Sequence, residues 1–305
     1  MRLLLIVNSS ASSVTARGRV VIQKALSADH QVTMAETNRR GHAIRLAQGA
    51  ANDGVDVVVC LGGDGTLNEV ANGLAGTRTA LAPLPGGSTN VFARTIGLPN
   101  DPIDATGVLV DGLREERIES VGLGSVNGRY FLFHVGLGFD AVVVKQVERR
   151  AGLKRYASHP LFIYATFATW FRHYDRSQPR FSVKYEDGDV VDDGYFSICF
   201  NTNPYTFLGN RPFNVIPEAT LDRGLAIVTF RHFGLWTLVR GAASALGFGK
   251  DIRRQRHLDV RSDLSSLVVE GHGPFPYQVD GDYLGETEHL AFKHEPEALR
   301  LVLPP

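Results

Sequence analysis

The chain has 305 residues, about twice a typical domain and long enough for two hydrophobic cores. Hydrophobic residues make up 44% and charged residues 21%, which excludes a disordered chain. Lys+Arg and Asp+Glu both count 32, so no global field draws in nucleic acid, and two cysteines, Cys60 and Cys199, exclude a disulfide framework and a Cys-built zinc site.

The opening MRLLLIVNSS carries an apolar run too short for a signal peptide, and with the sparse cysteines it predicts a cytoplasmic protein. Residues 3–7 read as a buried strand, 8–13 as a small polar loop, and 20–26 as a helix. A short strand at 31–34 and a helix at 43–51 follow. The run 55–61 (VDVVVCL) is continuous and β-branched, the mark of a strand covered on both faces. After it come glycines and a helix whose apolar stripe is Leu67, Val70, Ala71 and Leu74. Residues 80–84 repeat the pattern, with a Pro-Gly-Gly turn and a helix stopped near Gly97-Leu98-Pro99. Strand alternating with helix predicts an open, Rossmann-like parallel α/β sheet.

Beyond residue 118 the texture changes. Segments 130–135, 181–185, 196–201, 226–230 and 267–270 are short, aromatic or β-branched, and bounded by Gly, Asp and Asn, which predicts a mainly antiparallel β domain. Helical stretches interrupt it near 160–173 and 235–246. No repeat or low-complexity linker occurs. The expected organisation is therefore an α/β domain over 1–118 and a β-rich domain over 119–305, packed closely, with the active site in the cleft between them. The last ~15 residues are left free to pack back on the first domain. The longest nearly uncharged stretches, 161–171 and 233–249 broken by Arg240, fall short of the roughly 20 residues needed to cross a bilayer.

The strongest signal is Gly62-Gly63-Asp64-Gly65-Thr66-Leu67-Asn68-Glu69. Gly62, Gly63 and Gly65 directly after a buried strand let the backbone bend sharply and bring its N–H groups to an anion. A helix starts at once, so its positive end points into the same space. Thr66 can bond a phosphate oxygen; Asp64 can hold a cation through water or fix the turn. A Gly-rich turn with Asp64 as helix cap is the plainer alternative, but the whole octet, through Asn68 and Glu69, reads as an anion site. Pro85-Gly86-Gly87-Ser88-Thr89-Asn90 is built the same way, and neighbouring loops open on one sheet edge. Gly87, Ser88, Thr89 and Asn90 thus join the cradle, with Asn8, Ser9 and Ser12 from the first loop and Thr37 after the second strand as further candidates. There is no G-x-x-x-x-G-K-[ST] and no HRD or DFG set, which excludes P-loop NTPases and protein kinases; no G-x-G-x-x-G follows the first strand, which argues against a dinucleotide oxidoreductase, and there is no H-E-x-x-H.

GGDGTLNEV at 62–70 with PGGSTNVFAR at 85–94 resembles the catalytic domain of the diacylglycerol kinase family, which includes bacterial lipid kinases and sphingosine kinases and shares a fold with NAD kinases. The resemblance runs nearly the whole chain, through Gly138-Phe139-Asp140-Ala141, the stretch PEATLDRGL at 217–225, and Gln278-Val279-Asp280-Gly281-Asp282. It implies ATP, with its phosphates on the two glycine loops, a lipid hydroxyl as acceptor, most directly diacylglycerol, and Mg²⁺. It implies Asp280 as general base, with Asp64 and Asp140 as further catalytic candidates. An aspartate is ionised at neutral pH and can accept the hydroxyl proton if correctly placed. The spacing of V-D-G-D also fits a hairpin turn. Asp282 stands where the family usually has Glu and is the first metal candidate; Asp222 is the second. Arg223 occupies the place of a carboxylate in the family's Asp-Asp-Gly pattern, which puts an accessory magnesium site in doubt. Asn8-Ser9 replaces the usual Asn-Pro.

A lipid acceptor implies peripheral contact with the inner face of a membrane. Residues 145–155 carry five positive and one negative charge, and 250–261 five positive and two negative, clusters that attract anionic lipid or simply form solvated faces. The apolar stretches 161–171 and 235–248 line an acyl channel or form buried helices. His134, His173, His257 and His272 show no pairing pattern and read as structural. Homodimerisation is left open, and no nucleic-acid partner is expected. A NAD kinase-like enzyme acting on a soluble alcohol, or a nucleotide-binding regulator without catalysis, are the competing readings.

Overall fold

The computed structural model of the protein describes residues 1–149, 166, 169, 174–175, 177–248 and 251–305. It divides into two compact units, Met1–Leu123 with Pro296–Pro305, and Gly124–Glu295.

The first unit alternates strand and helix: β1 (Arg2–Val7), α1 (Ala16–Leu26), β2 (Gln31–Glu36), α2 (His42–Asn52), β3 (Val57–Gly62), α3 (Asp64–Leu74), β4 (Ala80–Pro85), α4 (Val91–Thr95) and α5 (Pro102–Arg114). The strands are all parallel, in the order β2-β1-β3-β4, with Leu5 opposite Met34 and Val59, and Val59 opposite Ala82. Every position of β3 and β4 is buried, which is what an unbroken apolar run requires. Alternation along the strands sends Leu3, Leu5, Val57, Val59, Ala80 and Ala82 to one face, where they pack with Ile22 and Leu26 of α1 and Ala105, Leu109 and Leu113 of α5. The helices α2 and α3 pack together and against β1, β3 and β4. The end of the chain returns here: Leu301 pairs parallel with Leu81, and Ala298 accepts from the Gly76 N–H at 2.8 Å. The helix α5 has no counterpart in the sequence reading. Its signal was present, since Asp101 accepts from the Ile103 and Asp104 N–H groups and Pro102 opens the first turn.

The strand β5 (Ile118–Val126) leads into the second unit, which continues with β6 (Arg129–Phe131), β7 (His134–Leu137), α6 (Phe139–Glu148), β8 (Phe181–Tyr185), β9 (Val190–Gly194), β10 (Phe196–Phe200), β11 (Thr206–Leu208), β12 (Arg211–Phe213), β13 (Leu225–Phe230), α7 (Leu235–Ala245), a 3-10 turn at Ile252–Arg254, β14 (Leu258–Leu264), β15 (Ser266–Val279) and β16 (Asp282–Val302). Its main path, β14-β13-β10-β7-β15-β16, is antiparallel throughout. One face carries Phe196, Phe200, Val228 and Phe230 against Phe139 and Val143 of α6. The other buries Val135, Cys199 and Ile227 with Phe181, Val269, Phe275 and Phe292. The single strand expected over 130–135 is interrupted after Phe131, because the N–H groups of Leu132 and Phe133 bond the Asp280 carboxylate. The helix expected over 160–173 falls almost wholly on residues outside those described, as do the basic positions of 145–155 beyond Arg149 and Lys250.

Candidate active site

Three loops of the first unit meet at the carboxyl ends of β1, β3 and β4. The Asn8 N–H bonds the Leu61 carbonyl at 2.9 Å, and its side-chain amide donates to Thr66 Oγ1 at 2.9 Å. Gly86 N–H donates to the Gly62 carbonyl at 2.8 Å. The two glycine pairs lie backbone to backbone: a Cβ on Gly86 would stand 2.9 Å from Gly62 Cα, and one on Gly87 would stand 2.8 Å from Gly63 Cα. No side chain but hydrogen fits there. Ser13, not named from the sequence, ties the first loop to the third through its N–H to Gly86 O at 2.9 Å and its hydroxyl to Gly87 O at 3.0 Å.

The helix α3 begins with Gly63 extended at its cap position and no side chain capping it. Its first-turn N–H groups therefore remain for an anion. Gly63, Asp64, Gly65 and Thr66 are half-buried, so the spot is reachable from solvent. Thr66 Oγ1 already accepts from Asn8, which leaves its proton to donate outward. Ser88 is exposed and Thr89 half-buried on the neighbouring loop, Ser9 and Ser12 are exposed, and Thr37 is held by its N–H to Val7 O at 2.9 Å.

The other candidates of these loops are occupied in building them. Asp64 caps α4, accepting from Val91 N–H at 3.0 Å and Phe92 N–H at 3.2 Å. Glu69 caps α2, accepting from Gly41 N–H at 2.7 Å and Ala43 N–H at 3.0 Å. Asn68 is buried and accepts from Asn72. Asn90, left-handed at φ 52°, accepts from Gly87 N–H at 2.7 Å and donates to Gly87 O and to Asn100.

The second unit holds a separate polar cluster. Val279 pairs with Asp282 across a two-residue turn in which Asp280 and Gly281 have φ of 48° and 81°, the turn that Asp-Gly favours. Asp280 is 4% exposed. Its Oδ2 accepts from Leu132 N–H at 2.7 Å and its Oδ1 from Phe133 and His134 N–H at 3.0 and 3.1 Å. Gln278 bridges the turn to Asp140, accepting from Gly281 N–H at 2.8 Å and donating to Asp140 Oδ2 at 2.8 Å. Tyr205 donates to Asp140 Oδ1 at 2.6 Å. Burial pushes the Asp140 carboxyl up against the pull of these two bonds, and burial beside Asp140 pushes the Tyr205 hydroxyl up as well. The His134 ring lies over Tyr205 at 4.4 Å; burial pushes its pKa down to about 3, so it is neutral, and its Nδ1 has no partner among the described residues. Gln278, Tyr205 and His134's place beside them are beyond sequence reasoning, because nothing in their spacing marks three buried residues from three strands or loops as neighbours.

Asp282 is half-buried, with Arg129 at 4.0 Å. Asp222 is exposed, its carboxyl held low by the Thr220 hydroxyl, its own backbone N–H and the Arg223 charge. Among the described residues no group of three His, Cys, Asp or Glu side chains comes together as a metal site.

The family model of the diacylglycerol kinase catalytic domain matches residues 2–126. A Pseudomonas aeruginosa protein named "Probable lipid kinase YegS-like" is 30% identical over 304 residues, 99% of this chain and 94% of that protein. A diacylglycerol kinase of Staphylococcus haemolyticus is 36% identical over 279 residues, 87% of this chain and 77% of that one. The crystal structure of a diacylglycerol kinase from Bacillus anthracis matches with a TM-score of 0.76 at 24% identity, covering 100% of this chain and 97% of that chain, a likeness of fold. Among the described residues no helix is long and apolar enough to cross a membrane.

Proposed function

This chain belongs to the diacylglycerol kinase family of lipid kinases, and we propose that it moves the γ-phosphate of ATP to the free hydroxyl of diacylglycerol, giving phosphatidic acid and ADP. The observation that carries the donor half is the uncapped amino end of α3, walled by glycine pairs that leave room only for backbone and ligand. Phosphate oxygens take the first-turn N–H groups and the Thr66 hydroxyl, while Asp64 and Glu69 hold the loops rigid by capping α4 and α2. The rigidity matters because phosphoryl transfer asks a protein mainly for positioning and charge neutralisation.

In the reaction the acceptor oxygen forms a bond to the γ-phosphorus as the bond to the β,γ-bridging oxygen breaks, and the hydroxyl proton must leave. We assign that proton to Asp280. Three backbone N–H bonds fix its carboxylate in place, and a carboxylate held in one position is a group able to accept a hydroxyl proton. Asp140 and Gln278 are positioning residues that hold the Asp-Gly turn from below. Mg²⁺ would arrive with ATP, since it is commonly held by one or two carboxylates together with phosphate and water. Asp282 is the carboxylate we assign to it, and the ion supplies neutralisation of the phosphate charge. Asp222, exposed beside Arg223, is not assigned a metal.

The test is an acceptor panel: γ-labelled ATP with diacylglycerol, sphingosine, phosphatidylglycerol and NAD, the lipids in mixed micelles. Label in phosphatidic acid supports the proposal. Label in another lipid moves the acceptor; label in NAD overturns the lipid reading.

A further inference from the structure

The helix α7 packs Leu238 and small residues on the core and carries further large apolar residues on its outward face. An amphipathic helix on a folded unit turns its large apolar residues inward. Here the buried positions are Thr237, Gly241 and Ala245, one turn apart, while Leu235, Trp236 and Val239 face solvent at 42%, 73% and 46% exposure. At 3.6 residues per turn, Ala242, Leu235, Val239, Ala243 and Trp236 follow one another around a single outward stripe, and Arg240 borders it. Just past the helix, Phe248 is 71% exposed, with the Arg211 guanidinium 4.3 Å from its ring centre. Scattered exposed apolar residues need no explanation, but a contiguous stripe containing a tryptophan does.

The surroundings select what covers it. The 3-10 turn Ile252–Arg254 packs beside α7. Arg253 is balanced by Glu218 at 3.0 Å, and Asp251 caps the turn. Arg254 and Arg256 are exposed, and neither they nor Arg240 have a carboxylate partner among the described residues. An apolar stripe bordered by unbalanced arginines, with an aromatic ring that favours the boundary between water and hydrocarbon, suits a lipid headgroup layer bearing negative charge. We propose that the outward face of α7, with Arg240, Arg254 and Arg256, seats the protein on an anionic membrane. The inference rests on the lipid-acceptor reading only for its purpose, and binding can be measured without turnover.

The experiment uses the whole chain with vesicles of phosphatidylcholine alone or mixed with phosphatidylglycerol. Co-sedimentation is expected only with the anionic vesicles, together with a blue shift in the emission difference between the parent and Trp236→Phe, which isolates one of the two tryptophans. The double variant Trp236→Ser/Val239→Ser should bind roughly tenfold more weakly or worse, the effect of withdrawing a large apolar side chain from the lipid. Arg254→Glu/Arg256→Glu should lose the preference for anionic vesicles. Equal binding by parent and both double variants overturns the proposal, as does a parent dimer that Trp236→Ser/Val239→Ser splits, since the stripe would then meet a second copy. Phosphorylation of micellar diacylglycerol, run in parallel, separates the two claims. Vesicle binding without turnover sinks the acceptor and leaves the docking face standing; turnover without vesicle binding sinks the docking face alone.

Discussion

Replacing Asp280 by Asn removes one oxygen and one charge from a place where three N–H groups converge. The amide oxygen can keep the position that accepts from Phe133 and His134, which puts the new NH₂ against the Leu132 N–H, 2.7 Å from the atom it replaces. Donor meets donor. The substitution gives up a hydrogen bond to a charged acceptor and strands a buried N–H, together about 3 kcal/mol. In a unit of this size that lowers the melting temperature by roughly 6–12 °C. Differential scanning calorimetry reads that shift, and the labelled-phosphate assay, run well below the variant's melting range, reads turnover. Nucleotide affinity should hold, because the phosphate loops belong to the other unit; turnover should vanish. Asp282→Asn, altering a half-buried carboxylate, should melt with the parent. An Asp280→Asn protein that melts with the parent and still phosphorylates lipid would refute both the anchoring and the proton role.

Thr66→Val removes the hydroxyl that Asn8 orients and should weaken ATP binding about tenfold by calorimetric titration, with Thr66→Ser restoring it. Gly87→Ala forces a methyl group to within 2.8 Å of Gly63 Cα and should destabilise by about 1–3 kcal/mol while abolishing nucleotide binding; denaturant titration and ATP titration check the two effects. The pKa of His134 lies near 3 against an ordinary 6.5, so between those values the unfolded chain binds a proton that the folded chain refuses. Its contribution is complete above pH 6.5 and falls by about 1.4 kcal/mol per pH unit as acid is added. Asp140, raised by burial, works the other way and gains stability as pH falls. Urea midpoints across this range, parent against His134→Phe, should therefore show the acid slope shallower by one proton in the variant.

The parallel half of the fold was legible because β3 and β4 are buried on both faces and carry unbroken apolar runs that no amphipathic helix would show. Boundaries slipped where a side chain overrode the local pattern: 130–135 reads as one strand until Asp280, far along the chain, takes the N–H groups at its centre. The same physics divides the site. Glycine loops announce themselves, since only glycine permits the Gly62–Gly86 and Gly63–Gly87 approaches. The motif offered Asp64 as a helix cap but did not disclose that its carboxylate oxygens cap α4, or that those of Glu69 cap α2, because a capping partner distant in sequence leaves no spacing to read. Gln278, Tyr205 and Asp140 likewise meet only once the strands have paired.

One assay tests the central claim most directly: transfer of labelled γ-phosphate to diacylglycerol in mixed micelles with Mg²⁺, comparing the parent with Thr66→Val and Asp280→Asn. The account predicts labelled phosphatidic acid with the parent, much less at limiting ATP with Thr66→Val, and none with Asp280→Asn. Label that never enters the lipid fraction, or enters it equally in all three proteins, would contradict it.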